Sequence, residues 1–192
     1  MMVHDVPDHL LVEQWSKHAD ERAWRFLMNR YDRLMRKILV TLGIKNGEDV
    51  EDLLQDFWWE QSLTIHRWKG NSSLSTYLAV AIKRRGIDLL RRQIKKRRTH
   101  SDHDLEEITI PASQNEDFNL AFLRQALKKS FDRLDPEDRL LFFYRELEGW
   151  STAETAKALG VPEGTVKSRL SRIKQKLQAM MKEEGWNGTE LA

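Results

Sequence analysis

Apolar residues recur at spacings of three and four over long runs of this chain, without the period-two alternation of half-buried strands, so the pattern predicts an all-α protein. Ala23, Phe26, Leu27, Tyr31, Leu34, Ile38 and Leu42 mark one face of a helix from about Asp20 to Leu42, which Gly43 ends. A shorter helix carrying Leu10, Leu11 and Trp15 precedes it. Asn46 is placed to cap a third helix, with Asp49 three residues on, that runs to about His66. After RWKGNSS, a fourth helix carries Leu74, Tyr77, Leu78, Ala81, Ile82 and Leu89 on one side. Together these make a predicted N-terminal helical domain over residues 1–98.

From Thr99 to Glu116 the chain loses its period, turns acidic and carries Pro111 and Ser113, which predicts a flexible linker over 99–116. A second helical domain is expected over 117–192. It starts with Phe118, Phe122, Leu127, Phe131 and Leu134, then a helix opening at Asp135-Pro136 and ending near Gly149. Next, in GWSTAETAKALGVPEGTVKSRLSRIKQKLQAMM, Ser151 and Glu154 form a capping box for a short helix that stops at Leu159-Gly160. Val161-Pro162 leads into a last helix with a stripe of Val166, Leu170, Ile173, Leu177 and Met180. Thr165, Ser168, Ser171, Arg172 and Gln175 point away from that stripe, and Lys167, Arg169 and Lys174 flank it. A soluble helical hairpin would share the stripe, but capping, turn and polar outer face together read as a helix-turn-helix. Its outer groups are those that contact phosphates and base edges in a major groove.

Composition narrows the functions. No window approaches 18 consecutive apolar residues and the start lacks the order of a secretory signal, so a cytoplasmic protein without membrane insertion is expected. Cysteine is absent, which excludes disulfides and thiolate zinc sites. The net charge of +2 averages over segments of opposite sign. Lys83 to Arg98 holds nine Lys or Arg against Asp88, a net of +8, enough for a nucleic-acid patch although basic helix ends are also common. His100 and His103 with Asp102 and Asp104 could be drawn as a metal cluster, but they fall in the expected linker without a rigid frame. Neither a Gly-rich phosphate loop nor a nucleophile-base pair occurs, so no catalytic residue, metal or cofactor is expected.

Phe57-Trp58-Trp59 poses a packing problem, because three consecutive helical residues fan across about 200°. Projection gathers Val50, Leu53, Leu54, Phe57, Trp58 and Ile65 on one side and leaves Trp59 opposite, among Glu48, Asp52, Gln55 and Asp56. Either another helix covers Trp59, or it anchors an acidic binding face; the residues alone leave both open.

Three segments taken together resemble the bacterial sigma-70 family of transcription initiation factors, in its extracytoplasmic function (ECF) subgroup. VEDLLQDFWWEQ is similar to the family's core-polymerase-binding segment, KGNSSLSTYLAVAIKRRGIDLLRR to its minus-ten loop and helix, and LDPEDRLLFFYRELEGWSTAETAKALGVPEGTVKSRLSRIKQKL to its minus-35 domain. The resemblance implies a non-enzymatic sigma factor that binds core RNA polymerase, directs it to promoter DNA and promotes strand opening. It carries core binding to Asp52, Leu53, Gln55, Asp56 and Trp59. It carries minus-ten recognition to Lys69, Gly70, Asn71, Ser72 and Ser73, with Tyr77, Lys83, Arg84, Arg91 and Arg92 along the helix. Minus-35 contacts fall on Thr165, Lys167, Ser168, Arg169, Ser171 and Arg172. An inhibitory anti-sigma factor is a further implied partner. The chain departs from the family pattern at Tyr77, where Trp is common, at Val80 and Arg84, where Arg and Asn are usual, and at Pro162, where Ser or Thr often caps. The competing function is a stand-alone helix-turn-helix regulator, which would bind its operator without polymerase.

Overall fold

The computed structural model describes residues 6–99 and 118–186, and the chain divides into two compact units, Met1–His103 and Asp104–Ala192. Every element among the described residues is helical. His100, Asp102, His103 and Asp104, and the linker beyond Thr99, lie outside those residues.

The first unit holds α1 (Asp8–His18), α2 (Glu21–Leu42), α3 (Gly47–Thr64), a 3-10 turn (Ile65–Arg67) and α4 (Leu74–Thr99). The boundaries follow from local chemistry. Asp20 accepts hydrogen bonds from the Arg22 and Ala23 amides, and Gly43 closes α2 at φ 102°, a left-handed conformation that suits glycine. Asn46 accepts from the Glu48 amide and starts α3. The expected third helix therefore ends two residues early, in the 3-10 turn. Leu27, Met35, Ile38, Leu39 and Leu42 of α2 are fully buried. α4 packs closely on this helix at Gly86, where a Cβ would lie 2.7 Å from Leu42 Cδ1 and 3.1 Å from Leu39 Cδ2. An aromatic chain ties the other helices together. Trp15 stacks on Trp24 at 5.1 Å, Trp24 meets Trp58 edge-on at 5.8 Å, and Trp58 meets Phe57 at 5.0 Å. Two of the indoles are also hydrogen-bonded: Trp58 Nε1 donates to Asp32 at 2.9 Å and Trp15 Nε1 to the Ser62 carbonyl at 2.8 Å.

The second unit holds α5 (Phe118–Asp132), α6 (Pro136–Phe142), a π-helical turn (Phe143–Leu147), α7 (Thr152–Leu159) and α8 (Glu163–Glu183). The helix expected from Asp135 to Gly149 thus widens in its last turn. Trp150 folds back to stack on Tyr144 at 4.4 Å while its amide donates to the Tyr144 carbonyl at 2.8 Å, and Gly149 at φ 67° permits the reversal. The capping box forms as expected: the Glu154 amide donates to Ser151 Oγ at 3.1 Å and the Ser151 amide to Glu154 Oε2 at 2.9 Å. Ser151→Ala should lower the stability of this unit by about 1 kcal/mol, read as a shift of the urea midpoint with unchanged slope.

Two details of the core differ from the sequence pattern. On α8 the stripe ends on Met181, which is buried, rather than on Met180, which is half-buried. On α5, among the residues whose side chains are described, 123–132, Ala126 and Ser130 are buried while Leu127 is 41% exposed; Phe118 and Phe122 lie outside them. α5 packs against α8, and small side chains at such a contact let two helix axes approach.

Candidate functional site

On α3, the packing demand of the core decides which aromatic stays outside. Phe57 is 0% and Trp58 5% exposed, whereas Trp59 is 71% exposed. Asp52, Gln55 and Asp56 are exposed beside it, and Leu53 is half-buried. Two other acids of the helix are engaged within the unit: Glu51 pairs with Arg36 and Glu60 with Arg85. The Arg36 hydrogen bond and charge hold the Glu51 carboxyl below its ordinary range. Leu63, four residues after Trp59, is 60% exposed and extends the apolar part of the same face. The sequence pattern missed it, although the i, i+4 spacing from Trp59 carried the signal.

The loop 69–73 is built by hydrogen bonds at both ends. Trp68 Nε1 donates to the Ser72 carbonyl at 3.0 Å, and Gly70 takes φ 75° between them. Ser73 Oγ accepts from the Thr76 amide at 3.3 Å and shares a 2.8 Å hydrogen bond with the Thr76 hydroxyl, so Ser73 caps α4. Lys69, Gly70 and Asn71 are exposed and Ser72 is half-buried. Tyr77 and Lys83 are half-buried along α4. Further on, Arg84, Arg91 and Lys95 are exposed on one face at i, i+7 and i+11, with exposed Arg92 next to it. Arg91 lies 3.6 Å from Asp88, and Arg85 faces Glu60. The loop therefore leads directly into a basic helix.

In the second unit, α8 follows α7 through Gly160 at φ 76°, and Pro162 starts it without a side-chain cap. Proline presets the backbone there, so the Ser or Thr cap is dispensable. Lys167, Ser168, Ser171 and Arg172 are exposed and Thr165 is half-buried. Arg172 Nε rests on the Ser168 carbonyl at 3.4 Å, and Ser168 Oγ donates to the Thr165 carbonyl at 3.2 Å.

Arg169 is set apart from these five. Its Nε and Nη2 both donate to Asp138 Oδ1, at 3.0 and 2.6 Å, and Nη1 lies 3.4 Å from Glu137 Oε2. Only 23% of its side chain and 12% of that of Asp138 are exposed. Burial pulls the guanidinium pKa down, but the bonds and charges of Asp138 and Glu137 outweigh it and raise the pKa overall. The pair ties α8 to α6. Sequence spacing puts Arg169 on the flank of the stripe and the resemblance groups it with the minus-35 contacts; neither shows its partner, which is 31 positions away. Among the described residues no helix is long and apolar enough to cross a membrane, and no group of three His, Cys, Asp or Glu could hold a metal ion.

The capped short helix, glycine turn and second helix of the C-terminal unit define a helix-turn-helix protein. Residues 27–98 match the sequence profile of Sigma-70 region 2, and residues 124–177 that of Sigma-70, region 4. The ECF RNA polymerase sigma factor SigM of Mycobacterium tuberculosis is 30% identical over 167 residues, covering 85% of this chain and 79% of its own. The ECF RNA polymerase sigma-E factor of Escherichia coli is 28% identical over 186 residues, covering 91% and 94%. This chain belongs to the sigma-70 family of RNA polymerase sigma factors, in the ECF subgroup. Among solved structures, sigma factor RpoE from Bartonella quintana in complex with the anti-sigma factor NepR superposes with a TM-score of 0.67 at 21% identity, covering 82% of this chain and 96% of that one. CnrH in complex with the cytosolic domain of CnrY gives 0.63 at 21% identity, covering 92% and 97%. These two likenesses speak for the fold.

Proposed function

We propose that the protein binds core RNA polymerase in the cytoplasm, directs it to a class of promoters and opens the duplex there, with no enzymatic activity of its own. The observation that carries this reading is the exposed Trp59 within an acidic helix face, in a chain that also matches sigma regions 2 and 4. Such a face suits a basic helical element of the polymerase: Trp59 and Leu63 are desolvated on docking, while Asp52, Gln55 and Asp56 supply a charged rim that steers the encounter.

DNA recognition divides between the two units. Lys167, Ser168, Ser171 and Arg172 of α8, with Thr165 at its start, present donors and acceptors to the major groove of the minus-35 element. Loop 69–73 receives an unstacked minus-ten base, and Arg84, Arg91 and Arg92 follow the strand's phosphates. Arg169 contributes by fixing the angle of α8 rather than by touching DNA. An anti-sigma factor is the expected inhibitor, since the Bartonella protein was solved with one.

Transcription of a genomic DNA library by core enzyme plus this protein, followed by mapping of start sites, tests the reading. Start sites that share two spaced elements support it; operator binding without core polymerase and no new starts would favour a stand-alone regulator. Asn71→Ala should slow promoter opening about fivefold, equivalent to roughly 1 kcal/mol, with closed-complex binding unchanged. Permanganate reactivity across the minus-ten region measures this, and wild-type reactivity would remove Asn71 from the base-binding role.

A further inference from the structure

α1 precedes residue 27, where the match to Sigma-70 region 2 begins, and packs against both α2 and the 3-10 turn Ile65–Arg67. It reaches α3 through Trp15, whose indole donates to the Ser62 carbonyl at 2.8 Å. We infer that Trp15 is a positioning residue for promoter opening: its N–H fixes the last turn of α3, and so sets the course of the chain from the face of Trp59 and Leu63 into loop 69–73. The inference rests on the promoter-opening function proposed above.

Carbonyls in the last turn of a helix run out of helical partners, so the donors that reach them set the direction of the chain. In α3, Ser62 Oγ donates to the Trp59 carbonyl at 2.6 Å and Thr64 Oγ1 to the Glu60 carbonyl at 2.8 Å, bonds of the kind that bend a helix. The Trp15 indole adds a donor from another helix, between the exposed Trp59 and Leu63 side chains and the 3-10 turn. From there the backbone stays bonded: the Ile65 amide donates to the Gln61 carbonyl, and the Trp68 amide to the Ile65 carbonyl at 2.9 Å. Trp68 Nε1 then holds the Ser72 carbonyl across the loop at 3.0 Å. A rotation of the turn at Ser62 is therefore carried into loop 69–73. The donor is itself held. Trp15 stacks on Trp24 at 5.1 Å, and at the start of α1 Asp8 accepts from Arg30 at 2.6 Å and from the Tyr31 hydroxyl at 2.5 Å. Burial and the bond to Asp8 push the Tyr31 phenol pKa up, so it remains a donor. Beyond Trp15, Ala19 takes φ 50°, a left-handed conformation costly for alanine, with its amide and that of Asp20 bonded to the Trp15 and Gln14 carbonyls. Packing and positioning are separable in this residue: the stack on Trp24 needs the ring, and the course of α3 needs the N–H.

The test uses full-length protein, core polymerase and a promoter identified by start-site mapping, with opening followed by permanganate reactivity at saturating protein. Trp15→Phe keeps a ring against Trp24 and removes the donor. Benzothienylalanine at the same position keeps the shape of the indole with sulfur in place of N–H, and so decides the matter if Trp15→Phe folds poorly. Both should lower the opening rate constant about fivefold, while core affinity stays within about twofold of wild type. On a template already unpaired across the minus-ten element, both should initiate at the wild-type rate. Gln14→Ala, exposed on another face of the same helix, should change none of these readouts. Wild-type opening rates in both variants overturn the inference and leave the proposed function standing. Losses of core affinity and opening in the same proportion, unrelieved by the unpaired template, make Trp15 a packing residue only and overturn it as well. Absence of core-dependent opening by the wild-type protein overturns both the inference and the proposed function.

Discussion

Trp59→Ala should weaken binding to core RNA polymerase by about 2 to 4 kcal/mol, or thirtyfold to a thousandfold, without loss of helicity. Both halves of this expectation follow from exposure. With 71% of its surface in water, Trp59 contributes little to the core, which is built from Phe57, Trp58 and Leu54 on the opposite side of α3. A large indole gives its binding energy only when a partner desolvates it, and a central aromatic inside a charged rim is where interfaces concentrate that energy. Substitutions at Asp52 or Asp56 should act mainly on the association rate, with effects that fade as salt rises. Titration of labelled protein with core enzyme, alongside circular dichroism melts, separates the possibilities. Equal affinity would show that polymerase docks elsewhere, and a lower melting point would make Trp59 part of the fold.

Asp138→Ala is expected to destabilise the C-terminal unit by about 2 to 3 kcal/mol, because it strands the Arg169 guanidinium against α6 with one weaker partner, Glu137. A fully buried pair would cost more; the residual exposure of Arg169 screens part of the loss. Since the pair holds α8 to α6, its removal should lower affinity for all DNA sequences in proportion to the population unfolded. The contrast with Arg172 is sharper still. Arg172→Gln should reduce discrimination at the minus-35 element by about 1 to 3 kcal/mol if the residue reads a base. If it meets a phosphate instead, affinity falls on every sequence and the salt slope drops by about 0.9. Arg169→Gln should leave both the base preference and the slope of the folded fraction unchanged. A slope reduced by Arg169→Gln would return that residue to the DNA contacts.

What the sequence disclosed and what it withheld divide by distance along the chain. Asp20, Gly43, Asn46, Ser151 and Gly160 act on backbone within a few residues of themselves, so helix limits were legible to within a turn. Trp59 was legible as lying opposite the apolar stripe of α3, though not as uncovered: its neighbours on the helix cylinder are fixed by the 3.6-residue period. Tertiary partners were not. Arg169 looks like any flanking cation until Asp138 comes beside it, and nothing local to Gly86 announces the Leu39 and Leu42 side chains that meet it. The π-helical turn depends on Trp150 returning to Tyr144, and the seat of α1 on Trp15 reaching the Ser62 carbonyl 47 positions away.

The placing of the indoles also gives the protein an optical signature. Trp24 contacts both Trp15 and Trp58 within the first unit, close enough to share excitation, and all three are more sheltered than Trp59. Trp59 is the exposed tryptophan among the described residues. Its emission is therefore expected to lie furthest to the red and to be the most open to aqueous quenchers such as iodide. Docking that buries Trp59 removes that component while the sheltered cluster keeps its colour, so the native chain reports occupancy of its own α3 face without an attached dye.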